Sequence, residues 1–307
     1  MNRGRWVPAL GLASLTLGLI TIPATTATAS GTQQAAACSL GLGAVNEKYG
    51  LQRQRVTAGN PPSVQPTEEF VANAFPNIDV RQSGSWVHEP NVAGFDYYGK
   101  IILGPYMYRA IYRSDDADAG VKLTRIGGGW DTFTFFEESR YDEGARPGSQ
   151  AHTFEYGLRK DGVLFRWRET GGKFVATGSY PGFASVQTMA LISQTRTYDT
   201  FLANTRGGAL YTIRIPISNP LKPIVTKVRS STWQGFDALV AERCGQYGTL
   251  LMGIDRDTQS GYLYAVGNAN GTSTVINGLG KVPGSYNDPV NYRWTGVAFA
   301  NPPLNGD

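Results

Sequence analysis

The sequence predicts an all-β chain folded as a single β-propeller, with five blades of four antiparallel strands. Three observations predict it. Short period-two runs bounded by Gly, Asn and Asp recur along the chain, and no sustained i, i+3, i+4, i+7 apolar pattern follows the N-terminal segment. An aromatic motif recurs at intervals near fifty residues, and a second motif keeps step with it. A period of that length, with several strands in each copy, is the sequence form of propeller blades.

The N-terminal thirty residues stand apart. Arg3 and Arg5 form a basic start, Val7 to Ile22 is apolar, and Ala27-Thr28-Ala29 precedes Ser30 as a small-x-small cleavage site. This is the layout of a secretory signal peptide over residues 1–29, so the mature chain is expected to begin at Ser30, outside the cell and with no membrane span. The apolar stretch is short of the ~20 residues a spanning helix needs. Removal of the two arginines lowers the formal charge from +4 to +2. No long Lys/Arg run exists, so charge offers no support for a nucleic-acid partner.

Residues 30–85 hold strand-like pieces but no complete blade, and residues 86–307 hold the repeats. Cys38 and Cys244 are the two cysteines of the chain. An even pair in an exported protein favours one disulfide, Cys38–Cys244. The bond would tie the segment that completes the closing blade to the neighbouring blade.

The first motif reads Trp130-Asp131-Thr132-Phe133, then Tyr180-Pro181-Gly182-Phe183, Trp233-Gln234-Gly235-Phe236 and Trp294-Thr295-Gly296-Val297, at steps of 50, 53 and 61 residues. Trp86, 44 residues before Trp130, is a weaker fifth copy. The second motif, a glycine entering a Leu-aromatic strand, begins at Gly162, Gly208 and Gly261, and lies 32, 28 and 28 residues beyond its aromatic. The glycine suits a tight hairpin turn. In Leu210–Pro216, Tyr211, Ile213 and Ile215 fall on one face of a strand. Trp294 has only 13 residues after it, too few for its second motif. Chain start and chain end are therefore expected to share one blade, which closes the ring.

The stretches LTRIGGGWDTFTFF, DGVLFRW and GGALYTI resemble the repeats of tachylectin-type β-propeller lectins. TWQGFDALV, followed by GYLYAV, also resembles FG-GAP (VCBS-type) propeller repeats. The resemblance implies a propeller that binds glycans. Where FG-GAP repeats carry an Asp-rich calcium loop, this chain has ERCGQYGT and ISQTRTYDT, so no calcium site is implied there.

Catalytic chemistry is sparse in the sequence. His88-Glu89 is the one His-carboxylate neighbour pair, and adjacent strand residues point to opposite faces. His152 opens a predicted strand and reads as structural. Asp115-Asp116-Ala117-Asp118 lacks the spacing and closing Glu of a calcium loop. The polar insertion Arg140 to Gln150 reads as a surface loop or a blade-specific contact loop. No catalytic residue, metal site or cofactor is expected.

What remains is an aromatic-rich repeated surface. Aromatic rings stack on the CH faces of sugars, while Asp, Asn and backbone groups bind hydroxyls. Candidate ligand residues are Trp130, Asp131, Tyr180, Asn204, Trp233, Asp237 and Trp294. A tryptophan at the same place in each blade also suits packing between blades. The expected function is a secreted, non-catalytic carbohydrate-binding propeller whose partners are glycans or glycoconjugates. The alternatives are a protein-interaction platform, such as the recognition subunit of a larger secreted assembly, and a propeller lyase or glycosidase.

Overall fold

The computed structural model describes residues 37–75, 78–144, 149–296 and 303–307. The expected signal segment and its cleavage site lie outside them. The chain enters through β1 (Ser39–Val45), β2 (Leu51–Thr57), β3 (Ser63–Val64) and β4 (Glu68–Val71). Next come β5 (Val80–Ser83), β6 (Trp86–Pro90), β7 (Phe95–Leu103), β8 (Tyr106–Arg113) and β9 (Lys122–Gly128). The following strands are β10 (Phe133–Asp142), β11 (Ala151–Arg159), β12 (Leu164–Thr170) and β13 (Lys173–Tyr180). Then come β14 (Val186–Gln194), β15 (Tyr198–Thr205), β16 (Leu210–Pro216) and β17 (Ile224–Arg229). β18 (Ala238–Cys244), β19 (Gly248–Asp255), β20 (Ser260–Val266), β21 (Ile276–Val282) and β22 (Val290–Thr295) complete the series.

β10–β13, β14–β17 and β18–β21 each form a four-stranded antiparallel sheet in chain order. The remaining strands join in one larger sheet, ordered β3-β2-β1-β22-β6-β7-β8-β9, with β4 beside β2 and β5 beside β7. Its middle is a seam of two parallel pairs, Trp294 with Trp86 and Thr295 with Val87. On either side of the seam lies another meander. β5 and β6 sit end to end along β7, β5 opposite Ile101–Leu103 and β6 opposite Phe95–Tyr98. The two chain ends do pair: Leu42–Val45 of β1 lie against Val290–Arg293 of β22. The first strands of successive meanders lie side by side, β5 next to β10, β10 to β14, β14 to β18, β18 to β22, and β22 to β5. That adjacency closes on itself, which is the arrangement of a propeller.

Burial follows from this packing. β14, β15 and β19 are buried almost end to end, because neighbouring sheets cover both faces. β9, β13 and β17 are largely exposed, as outermost strands are. The apolar clusters straddle sheet boundaries: Phe135 and Tyr156 pack with Phe201 and Ile213, and Ala190 and Leu202 with Trp233 and Leu251. The disulfide Cys38–Cys244 joins the residue before β1 to the last residue of β18, with Cα atoms 5.4 Å apart.

A repeated backbone hydrogen bond reveals the register of the repeat. In each meander the turn between the second and third strands offers a carbonyl to the N–H of an aromatic that leads toward the next meander. Phe75 N donates to Tyr49 O (3.2 Å), Trp130 N to Pro105 O (3.0 Å) and Phe183 N to Gly162 O (2.9 Å). Trp233 N donates to Gly208 O (3.0 Å) and Tyr286 N to Gln259 O (3.1 Å). All of these aromatics are buried, and their spacing is 55, 53, 50 and 53 residues.

The equivalent positions are therefore Phe75, Phe183 and Tyr286, where the motif alignment places Trp86, Tyr180 and Trp294. In the Tyr-Pro-Gly-Phe copy it is the Phe that enters the core, while Tyr180 ends the outer strand β13. Trp86 and Trp294 instead face each other across the seam. The turn glycines are also only partly as expected. Gly162 (φ 82°) and Gly208 (φ 87°) hold left-handed positions. Gly261 lies within β20, and Gln259 (φ 52°) takes the left-handed position of that turn.

Candidate functional site

The inner strands shape two spaces along the axis. Their first halves, including Arg81–Ser83, Thr134–Glu137, Thr188–Leu191, Asp237–Ala241 and Pro289–Arg293, line a narrow space of about 90 Å³. Positions further along β10, β14, β18 and β22, namely Glu138, Gln194, Glu242 and Thr295, together with Val87 of β6, which follows β5, line a cavity of about 830 Å³. The inner strands thus run in one sense, from a narrow passage to a wide chamber. The chamber leans toward β7 and β8 on one side and β10 and β12 on the other, through Tyr98, Lys100, Arg109, Phe136 and Glu169.

Its wall carries a charged network between two sheets. The buried ammonium of Lys100 donates to Glu138, to Glu155 Oε1 at 2.7 Å, and pairs with Glu169 Oε2 at 3.4 Å. Arg109 pairs with Glu169, and Arg140 Nη2 with Glu138 Oε1 at 2.8 Å. Burial opposes the charge on Lys100, but Glu138 and Glu155 outweigh it and hold the ammonium above its ordinary pKa. Burial also opposes ionisation of Glu138, yet Lys100 and Arg140 hold it well below the usual carboxylate range. Glu155 is pushed up, first by burial and then by the neighbouring Glu138 charge. Its side chain is fully buried and its Oε2 has no hydrogen-bond partner.

This arrangement limits the chemistry. Lys100 keeps its proton and is no nucleophile. Glu155 is the protonated carboxyl of the cluster, but it is not among the residues lining the chamber. A second polar group lies between β10, β11 and β15. Ser139 Oγ and Tyr156 OH donate to Asp199 at 2.6 and 2.7 Å, with His152 Nε2 4.0 Å from the same carboxylate. Here the aspartate stands between serine and histidine. The serine meets the aspartate and not the imidazole, so the group is a buried packing network rather than an acyl-transfer triad. Among the described residues no three of His, Cys, Asp and Glu converge as metal ligands. The Asp115 region is a short exposed turn, Ser114–Ala119, in which Asp115 accepts from Asn91 and Arg113.

None of the seven sequence-derived ligand candidates lines the chamber. Trp130 is buried against Phe133 (4.7 Å) and Trp167 (5.1 Å). Trp294 is buried against Phe70 (4.8 Å) and Tyr97 (5.4 Å). Asn204 is fully buried, and its Nδ2 donates to Trp233 O and Phe236 O at 2.8 Å each, which fastens β15 to the start of the next sheet. Trp233 packs on Tyr264 at 4.9 Å. Asp237 lines the narrow passage and accepts from Gln187 Nε2 and Arg256 N. Asp131 and Tyr180 are exposed at the surface. The structure brings together Asn204, Trp233 and Asp237, and leaves the other four apart from them.

His88 and Glu89 diverge as strand alternation requires. His88 stacks on Trp294 at 5.9 Å, and burial holds its imidazole below the ordinary value. Glu89 faces the chamber. The residues that sequence reasoning missed, Lys100, Glu138, Glu155 and Glu169, had a visible signal. Each is a charge inside an aromatic or apolar strand: YYGKIIL, FFEES, TFEYG and FRWRET.

The chain matches no protein-family model and no curated protein. Among solved structures it is similar to the Aleuria aurantia lectin described as having a six-bladed β-propeller fold and a novel fucose recognition mode. That likeness has 9% identity and a TM-score of 0.47, over 86% of this chain and 86% of that one. A mercury-derivative form of the fucose-specific lectin from Aleuria aurantia gives 10% identity and a TM-score of 0.43, over 79% and 78% of the two chains. Likeness at this level carries no argument about function or blade number.

Proposed function

We propose that the chain is an exported five-bladed propeller that binds carbohydrate, without turnover, in the wide chamber at one end of its axis. The blade count is supported by the closed cycle of β5, β10, β14, β18 and β22 and by the hydrogen bond repeated from Phe75 to Tyr286. Export is supported by the signal layout of residues 1–29 and by the disulfide.

The observation that carries the binding reading is the lining of the chamber. Val87, Tyr98 and Phe136 supply apolar surface for the CH faces of a sugar ring, and salt-bridged Arg109, Glu138, Arg140 and Glu169 supply hydrogen-bonding groups for its hydroxyls. The ion pairs hold those groups in position before a ligand arrives, which lowers the ordering cost of binding. Binding without turnover is supported by the cluster: Glu155, whose burial favours its protonated form, lies behind the wall, and Glu138 and Glu155 favour the charged form of Lys100. The exposed Asp131 and Tyr180 would serve as outlying contacts for a longer glycan, while Trp130, Trp233, Trp294 and Asn204 hold the scaffold.

A broad glycan array on the purified protein, followed by titration, tests the reading. Tyr98→Ala is expected to weaken binding about tenfold, as loss of one aromatic contact would, with an unchanged melting temperature. No reducing sugar should be released on long incubation. Binding by Tyr98→Ala equal to wild type would show that the chamber is the wrong site. A blank array would remove the carbohydrate reading itself.

A further inference from the structure

We infer that the saccharide taken by the chamber carries a positive charge, in the form of free amino groups. The inference rests on the carbohydrate reading above and specifies its ligand class. It comes from the pairing of charges around the chamber. Four cationic side chains line it, and each already has an acidic partner: Lys100 with Glu138, Glu155 and Glu169, Arg109 with Glu169, Arg140 with Glu138, and Arg293 with Glu242 at 4.0 Å. Among the described residues, every lining cation has a carboxylate partner, and five carboxylates line the chamber against four cations.

The carboxylates are not used up in the same way. Glu89, half-buried on β6, has no ion pair or hydrogen bond among the described residues, and faces the chamber. Asp142, at the end of β10, accepts one bond from Gly144 N (2.8 Å) and has no cationic partner among the described residues. Unpaired negative charge is therefore offered from two strands, β6 and β10, belonging to adjacent meanders. Bound metal is a poor substitute, since among the described residues no metal-ligand group forms. An ammonium group on a sugar ring supplies one charge and three donors, which suits a carboxylate such as Glu89.

The sign of this charge is informative because it opposes the chain as a whole. The exported chain would carry a formal charge of +2, the +4 of the full sequence less Arg3 and Arg5, so general electrostatics would slightly favour acidic glycans over amines. Preference for an amine would have to arise locally, at the chamber.

Oligosaccharides of equal length provide the test: β-1,4-linked glucosamine, its N-acetylated form, the neutral glucose analogue and a uronic acid oligomer, each titrated near pH 6. The glucosamine oligomer is expected to bind at least tenfold more tightly than the N-acetylated and neutral forms, with the uronate weakest. Raising salt from 50 to 500 mM should shrink that preference, as screening of a charged contact requires. The double variant Glu89→Gln/Asp142→Asn should melt as wild type and bind the amine and neutral oligomers within threefold of each other. Equal or tighter binding of the neutral or acidic oligomer by wild type overturns the charge inference and leaves the carbohydrate reading standing. An undiminished amine preference in the double variant also overturns it. Binding of none of the four sugars, with a blank glycan array, removes both readings together.

Discussion

Lys100 interrupts an apolar strand, and three carboxylates from the neighbouring sheet gather around it. Such a cluster is costly to desolvate and is held together only while the charges stay balanced. Glu155 makes the balance dependent on pH. Its folded-state pKa is pushed up to about 8 by burial and by Glu138. An unfolded glutamate titrates near the ordinary carboxylate value. Between those values the folded state holds a proton that the unfolded state has lost, so stability falls as pH rises through that window. Glu155→Gln removes the titration while keeping the shape. Its melting temperature is expected to fall less than that of wild type between pH 5 and pH 8, and parallel melting curves across the range would contradict the assignment. Little of this was legible in sequence, because a charge in a strand marks an exposed face unless the partner strand is known. Lys100 and its three glutamates meet across 38 to 69 residues of chain, a distance that no local pattern spans.

The hairpin turn is the element that repeats most faithfully. Its carbonyl and the following aromatic N–H recur through copies whose side chains differ, Phe, Trp or Tyr. That explains how much of the fold could be read. Period-two runs marked the strands, and spacing near fifty residues marked the meanders. Register drifted wherever the alignment followed aromatic identity, at Tyr180, Trp294 and Trp86, because a backbone bond leaves no unique side chain behind. Asn204 adds a side-chain clamp to the same junction. Asn204→Ala strips donors from the Trp233 and Phe236 carbonyls, and the loss is expected to be about 2–4 kcal/mol, since each buried unsatisfied group costs roughly 1–3 kcal/mol. Trp233→Ala should cost about 3–5 kcal/mol through the cavity it leaves. Asp131→Ala, at an exposed position beside an equivalent tryptophan, should leave the melting temperature unchanged. Chemical denaturation of the three variants separates scaffold from surface. A stable Asn204→Ala would mean the sheets are held without the clamp.

At the scale of the molecule, β1 pairs with the nearby β2 on one edge, while its other edge and its covalent tie depend on distant chain. β22 supplies the neighbour on that other edge, and Cys244 the covalent tie. The disulfide closes a loop of 206 residues. Replacing both cysteines by serine is expected to lower stability by about 2–5 kcal/mol, while a saturating glycan still binds the folded fraction. If denaturation midpoints of the variant and wild type coincide, the bond adds nothing to the closure. The cysteine pairing and the meeting of the chain ends were legible because both rest on counting: two cysteines, and one repeat cut short at each end. The chamber was not, because its walls are assembled from every inner strand at once.

The pairing of β1 with β22 also sets a timetable for biosynthesis. β1 leaves the ribosome more than two hundred residues before the strand that covers its open edge. Throughout that interval the edge is a template for any extended segment, including β1 of another copy. Translation arrested before residue 290 would release a chain with the edge permanently bare. A carrier that holds the chain extended until its last strand has been made would protect the yield of the whole molecule.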